Sequence, residues 1–150
     1  MRNINFIVIH CTATQPNVKK ESILNYWKNT LKWKSVGYHR LIDANGIIHE
    51  LSNYEQPTNG VKGYNAESIH FSYIGGIDVS GSPKDTRTLK QKESLLYLVK
   101  AAKKQFPNAI VQGHKDFKGV KKACPSFDAK NEYKWKMKIE ILYYFGFMLL

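Results

Sequence analysis

Acidic residues are scarce in this chain. Twelve Asp and Glu stand against 23 Lys and Arg, a formal net charge of +11 over 150 residues. Such a surface attracts polyanions in general. The cations are spread along the chain, with only a moderate concentration over Lys115–Lys138, so charge does not choose between nucleic acid and an anionic cell-wall polymer. Cysteine is scarce too. Two cysteines cannot build the disulfide framework of a small secreted domain, which leaves core, metal-ligand or catalytic roles. Long apolar runs are missing: none approaches the roughly 18 residues needed to cross a membrane. The terminal run Ile139–Leu150 is interrupted by Glu140 and Gly146 and is expected to pack on the core. The opening MRNINFIVIH lacks the charged n-region, longer apolar stretch and small-residue cleavage site of a signal peptide, so synthesis in the cytoplasm is expected. Internal repeats, low-complexity tracts and linkers are absent as well. A chain of this length that is 43% hydrophobic can bury a core of its own, and one domain spanning 1–150 is expected.

The apolar pattern reads as a mixture of strands and helices. Ile4–His10 is β-rich and only weakly alternating, as in a buried strand. Thr14–Asn17 is a turn. Glu21–Trp33 places Ile23, Leu24, Trp27 and Leu31 at helical spacing. Gly37–Ile42 and Ile47–Leu51, joined by Asp43-Ala-Asn-Gly46, read as a β-hairpin on an Asn-Gly turn. Ser52–Glu67 is irregular, and so long a connection points to function. Ser68–Ile74 is a further strand and Gly75–Lys84 a loop. Thr88–Phe106 carries a helical stripe of Leu89, Leu95, Leu96, Val99, Ala102 and Phe106, and Pro107-Asn108 stops it. Ala109–Gln112 is a short strand and Gly113–Asp128 a glycine- and lysine-rich loop. The last helix, Asn131–Tyr144, turns Tyr133, Met137, Ile141 and Leu142 inward, with Asp128 suited to cap it. The sum is an α/β fold with a central mixed β-sheet flanked by helices.

Three side chains carry the chemistry. His10 ends the first strand and His114 follows the strand Ala109–Gln112. In open α/β sheets, ligands gather at the carboxyl ends of strands. These two histidines either converge there or stand apart, one in the core and one in a surface loop. Cys124 lies ten positions beyond His114 in the same loop, either as a ligand or as a free buried thiol. A His, His, Cys set leaves one tetrahedral position open, the arrangement of catalytic zinc, and thiolate with imidazole suits Zn2+ better than magnesium or calcium. Cys11, next to His10 on a strand, points to the other face and is expected in the core. That makes a Cys11–Cys124 disulfide incompatible with a shared metal. Asp116 suits either of two roles, orienting His114 or bracing the loop. His39 is expected to be structural, and His49 and His70 carry no supporting motif.

Six segments then occur in order: His10-Cys-Thr-Ala-Thr14, Val36-Gly-Tyr-His39, Lys62-Gly-Tyr-Asn65, Gly75-Gly-Ile-Asp78, Gly113-His-Lys-Asp116 and Lys122-Ala-Cys-Pro-Ser-Phe-Asp128. Together they resemble the type 2 N-acetylmuramoyl-L-alanine amidases, which include phage amidase-type lysozymes and the peptidoglycan recognition proteins. The resemblance covers nearly the whole chain. It implies zinc ligation by His10, His114 and Cys124, and catalytic assistance by Tyr38 and Lys122. It also implies hydrolysis of the amide joining N-acetylmuramic acid to L-alanine in peptidoglycan, by a phage or prophage endolysin that reaches the wall after release and is expected to be a monomer. Tyr64 and Asn65 keep the local motif and are candidate substrate contacts, with loop packing the other role open to Tyr64. The chain departs from the family pattern where relatives carry a histidine before the Lys-Gly-Tyr-Asn segment, here Asn59-Gly60-Val61. It departs again where relatives carry glycine after Ser-Ile, here His70. Both departures fall in the expected substrate groove. Two other classes compete with the enzyme: a noncatalytic peptidoglycan-binding module, and a basic partner of nucleic acid or a polymerase, for which no residue speaks.

Overall fold

The computed structural model describes residues 2–147, with side chains through residue 139. Five strands form one sheet: β1 Phe6–Cys11, β2 Arg40–Ile42, β3 Ile48–Glu50, β4 Ser68–Tyr73 and β5 Ile110–Gly113. Their order is β3-β2-β4-β1-β5. β1 runs parallel to both β4 and β5, β2 runs parallel to β4, and only β3 is antiparallel. Among the described residues there are three α-helices, α1 Lys20–Asn25, α2 Leu89–Gln105 and α3 Ala129–Phe147. The expected mixed sheet with flanking helices is therefore the architecture observed.

Side chains alternate across a strand, and the two central strands use the alternation to make two unlike faces. Ile7, Ile9 and Cys11 of β1 and Ile69, Phe71 and Tyr73 of β4 enter the main core with Leu95, Leu98, Val99 and Ala102 of α2 and Tyr133 of α3. The opposite face carries Val8 and His10 of β1 and Ser68, His70 and Ser72 of β4, all buried. Val8 there packs with Val61 and Phe117 in a small second cluster. One face is thus an apolar core and the other a polar floor covered by the long loops.

Several boundaries differ from expectation for local reasons. The hairpin strands are shorter, Arg40–Ile42 and Ile48–Glu50; beyond them His39 still donates its N–H to the His70 carbonyl at 2.9 Å and accepts from Leu51 N–H at 3.0 Å, outside regular strand. The turn itself is as expected: Gly46 has φ +79° and its N–H donates to the Asp43 carbonyl at 2.9 Å, a conformation glycine adopts without strain. The helix expected over Glu21–Trp33 yields at Tyr26 to a π-helical stretch, Tyr26–Thr30, whose wider turn rephases the side chains. Ile23 and Trp27 are buried while Leu31 turns outward.

Helix α2 starts on a capping box in which the Thr88 hydroxyl accepts from Gln91 N–H and the Gln91 side chain accepts from Thr88 N–H. That box aims Gln91 rather than Leu89 at the sheet. Gln91 Nε2 donates to the carbonyls of Ile42 and Ile74 at 3.2 and 3.1 Å, and Leu89 is exposed instead of buried. Asp128 caps α3 by accepting from Asn131 N–H at 3.1 Å. Tyr133 is buried and Met137 packs on the core. Ile139, the first residue of the terminal run expected to pack on the core, is exposed. Ile141, Leu142 and the rest of the terminal run lie outside the residues whose side chains are described. Among the described residues no helix is long and apolar enough to cross a membrane.

Arg87 ties the segment before α2 to the first turn of α3. Its side chain is 2% exposed and lies 2.9 Å from both Asp85 Oδ2 and Glu132 Oε2, with its guanidinium over the Phe127 ring at 3.2 Å. Burial pushes the Asp85 and Glu132 carboxyls up, but the bonds to Arg87 outweigh it and hold both below their ordinary values. Replacing Arg87 by Met takes the guanidinium from two carboxylates, Asp85 and Glu132, and leaves Glu132 with Lys136 alone, 2.8 Å away. Allowing for their partial exposure to solvent, the cost is about 2–3 kcal/mol, read from urea unfolding. The folded carboxyls have the lower pKa, so this contribution is present above the ordinary carboxylate range and is lost as the pH falls through the depressed values. Acid titration of the urea midpoint should therefore fall more steeply for the native chain than for R87M.

Candidate metal centre and groove

Register brings the two histidines together. Ile9 of β1 stands opposite Gly113 of β5, so the residues that follow them, His10 on β1 and His114 just past the end of β5, come side by side. Their ring centroids are 4.9 Å apart. His114 opens a short 3-10 turn, His114–Asp116, braced by Asp116, whose Oδ2 accepts from Gly113 N–H at 2.7 Å. Of the two roles open to Asp116, this is the loop-bracing one. The loop then returns: Lys115 N–H donates to the Cys124 carbonyl at 2.8 Å, which sets Cys124 against β1. Cys124 Sγ accepts from Cys11 N–H at 3.3 Å and lies 3.7 Å from His10 Nδ1. The donor atoms of His10, His114 and Cys124 all lie within 4.8 Å of one another. Cys11, by contrast, is a buried free thiol of the core.

Burial, then the neighbouring His70, His114 and Lys122, hold His10 well below its ordinary pKa. Burial followed by Lys122 brings His114 down to about 4. Both rings are neutral at neutral pH and keep a lone pair for a cation. Contact with Cys11, then burial, pushes the Cys124 thiol up, so ligation would have to displace its proton. Two imidazoles and one sulfur suit a borderline-soft ion such as zinc and lack the oxygen donors that calcium and magnesium require.

The long segment expected to matter, Ser52–Glu67, forms one wall of a groove of about 650 Å³ beside these donors. The groove is lined by Trp33, Asn59, Gly60, Val61, Lys62, Gly63, Asn65, His114, Gly119, Val120, Lys121 and Lys122. Lys62, Lys121 and Lys122 make it basic. Lys122 is exposed on the rim. The Tyr38 ring lies 4.9 Å from that of His10, with Trp27 behind it at 5.2 Å, and its hydroxyl donates to the Cys11 carbonyl at 3.4 Å. Burial first, and the nearby cysteines next, push the Tyr38 phenol up, so it stays a proton donor. Asn65 lines the groove, while Tyr64 packs between Phe6 and Phe117, at 5.9 and 4.5 Å between centroids.

Two histidines without a sequence motif have defined places. His49 pairs with Asp43 at 2.9 Å, away from the groove. His70 lies within the site: its Nδ1 is 3.0 Å from His10 Nε2 and its Nε2 is 3.1 Å from Asn65 Oδ1. The one sequence signal pointing to it is the alternation Ser68, His70, Ser72, a polar face inside a strand with nothing exposed. His39 is structural as expected, its Nδ1 accepting from His70 N–H at 3.0 Å and its Nε2 donating to the Gln56 carbonyl at 2.9 Å.

A family model described as N-acetylmuramoyl-L-alanine amidase matches residues 1–127. The endolysin of Klebsiella phage KP32 is 33% identical over 139 residues, covering 91% of this chain and 87% of that protein. The endolysin of Escherichia phage T7 is 33% identical over 138 residues, with the same coverage, 91% and 87%. Among solved structures, the endolysin N-acetylmuramoyl-L-alanine amidase LysCS from Clostridium intestinale URNW superposes with a TM-score of 0.75 at 24% identity, covering 91% of this chain and 85% of that one. The last comparison speaks to the fold.

Gly113 sets the approach of the loop to the strand. A Cβ there would lie 2.6 Å from Pro125 Cδ and 3.2 Å from Asp116 Oδ2, while its φ of −83° is open to any residue, so the demand is steric. Gly113→Ala should cost about 1–3 kcal/mol in chemical denaturation. It should also make Cys124 more reactive toward a thiol reagent as Pro125 is pushed off β5. Unchanged reactivity would show that the loop is held by other contacts.

Proposed function

The chain belongs to the N-acetylmuramoyl-L-alanine amidase family, and from that premise we propose that it is a zinc-dependent endolysin that hydrolyses the amide between N-acetylmuramic acid and L-alanine in peptidoglycan. The observation that carries this reading is the convergence of two imidazoles and one thiol within 4.8 Å at the end of a basic groove. His10, His114 and Cys124 are the residues that would hold the ion. Bound zinc supplies a Lewis acid and lowers the pKa of water toward about 7, so that a nucleophile exists at neutral pH.

The remaining work falls to the side chains. Attack of water on the scissile carbonyl builds negative charge on its oxygen, and a cation already in place stabilises that charge without reorganising. Lys122, on the rim beside His114, is assigned this role. Breaking the C–N bond requires a proton on the departing amine. Tyr38 is assigned as a hydrogen-bond donor in this step, because its phenol is held protonated and its present bond at 3.4 Å is long enough to exchange for one to substrate. Asn65 is the proposed substrate contact: its Oδ1 is engaged by Val61 N–H at 2.7 Å, which leaves the amide Nδ2 for the glycan or peptide. Tyr64 supports the same wall from behind.

Incubation of purified protein with peptidoglycan should release new L-alanine amino termini and no reducing sugars. A chelator or Cys124→Ala should abolish that release, and activity that survives both overturns the zinc reading. Lys122→Ala and Tyr38→Phe should each lower kcat by roughly 10²-fold or more with the metal still bound. Zinc-loaded protein that binds the wall without cutting it would assign the chain to a recognition role instead.

A further inference from the structure

His70 is fully buried, is not among the three converging donors, and touches the most buried of them. Its ring is held from three sides. His39 stacks on it at 5.9 Å between centroids with an interplanar angle of 18° and accepts its backbone N–H at 3.0 Å. Gly60 leaves room for it: a Cβ at that position would lie 2.6 Å from His70 Cε1 and closer still to Nδ1 and Cγ. At its two nitrogens stand Asn65 Oδ1, 3.1 Å from Nε2, and His10 Nε2, 3.0 Å from Nδ1.

These contacts have one consistent assignment of protons. Val61 N–H donates to the Asn65 side chain at 2.7 Å, so the atom facing it is the carbonyl oxygen, since an amide turned over would set donor against donor. That same oxygen faces His70 Nε2, which must therefore carry hydrogen. A neutral imidazole bears one N–H and one lone pair, so His70 Nδ1 is an acceptor and His10 Nε2 must donate to it. His10 Nδ1 is then the bare nitrogen, and it is the atom that lies 3.7 Å from Cys124 Sγ. Protonating both nitrogens of His70 would bury a cation whose ionisable neighbours, His39, His114 and Arg2, are all basic.

We propose that Asn65 and His70 form a hydrogen-bonded relay that locks His10 in its Nε2–H tautomer and so presents a bare Nδ1 to the metal. His70 is thus a positioning residue. Its purpose rests on the zinc reading above, but the tautomer it dictates is a property of the metal-free chain. A metal-ligating histidine whose second nitrogen is fixed by an outer acceptor binds more tightly, and loss of such an acceptor typically weakens binding 10–100-fold.

Long-range 1H–15N correlation spectra of metal-free protein labelled at histidine should show the proton of His10 on Nε2 and that of His70 on Nε2. Zinc competition against a chromophoric chelator should give a dissociation constant about 10–100-fold higher for His70→Leu. His70→Asn, which returns an acceptor near the place of Nδ1, should recover most of the affinity. Gly60→Ala, which displaces the ring without removing it, should weaken zinc binding in the same direction. Thermal melting of each metal-free variant separates these effects from unfolding. A His10 proton on Nδ1 in the native chain overturns the relay, as does a folded His70→Leu protein with native zinc affinity. A native chain with the Nε2–H tautomer and no affinity for zinc supports the relay and overturns the metal reading instead.

Discussion

Parallel pairing of β1 with β4 on one side and β5 on the other determines which side chains can meet in the groove. Parallel strands all end on the same edge, so the carboxyl ends of strands far apart in sequence are gathered there. With Ile9 opposite Gly113 and His10 opposite Ser72, one register fixes the neighbours of His10 on both flanks. A slip by one residue would turn His10 into the apolar core and Cys11 or Ile9 into the groove. The apolar face of β1 and β4 guards against that slip, because Ile7, Ile9, Ile69 and Phe71 are all fully buried in the core they share with α2 and α3. The precision of the polar face thus depends on the packing of the apolar one.

That arrangement has a cost built into it. The polar face buries His10, His70, Ser68 and Ser72, and polar groups taken out of water are unfavourable unless they are hydrogen-bonded. His10, His70 and Asn65 answer this by bonding in series, and His39 answers it by spanning from the His70 backbone to Gln56, whereas the Ser68 hydroxyl finds no partner among the described residues. The loop Ser52–Glu67, which has little regular structure of its own, covers this face. A helix or strand repeats at a fixed interval, whereas this loop has to set Thr58, Gly60, Val61 and Asn65 on four different parts of the polar layer, and an irregular path can do so.

Much of this is legible in the residues. The positions of His10 at the end of one strand and of His114 just after another, the inward stripe of α2, the Asn-Gly turn and the Asp128 cap all follow from short-range patterns, since each depends on spacings of two to four residues. The gathering of His10, His114 and Cys124 depends on register between strands about a hundred positions apart, and for that the ordered motifs are the informative signal. The rest is decided by tertiary context. The π-helical turn at Tyr26–Thr30 comes from packing that no periodicity encodes, and Gln91 takes the inward place of Leu89 through a capping box that the apolar stripe does not show. His70 belongs to no motif, and its meaning emerges only beside Gly60 and His10. Arg87 has no sequence signature either, because its carboxylate partners, Asp85 and Glu132, become one cluster only when α3 docks.

Gly60 and His70 behave as a single locus. The absence of a side chain at one is the volume occupied by the ring of the other, so neither position has tolerances of its own. A mutational path that fills position 60 first must force the imidazole out of a packed layer, whereas a path that shrinks position 70 first passes through a cavity. The order of the two steps matters although the end points are the same. A histidine lost from one of these sites and gained at the other would therefore leave a history in which the two residues are exchanged together, and chimeras that divide the chain between residues 60 and 70 would separate them.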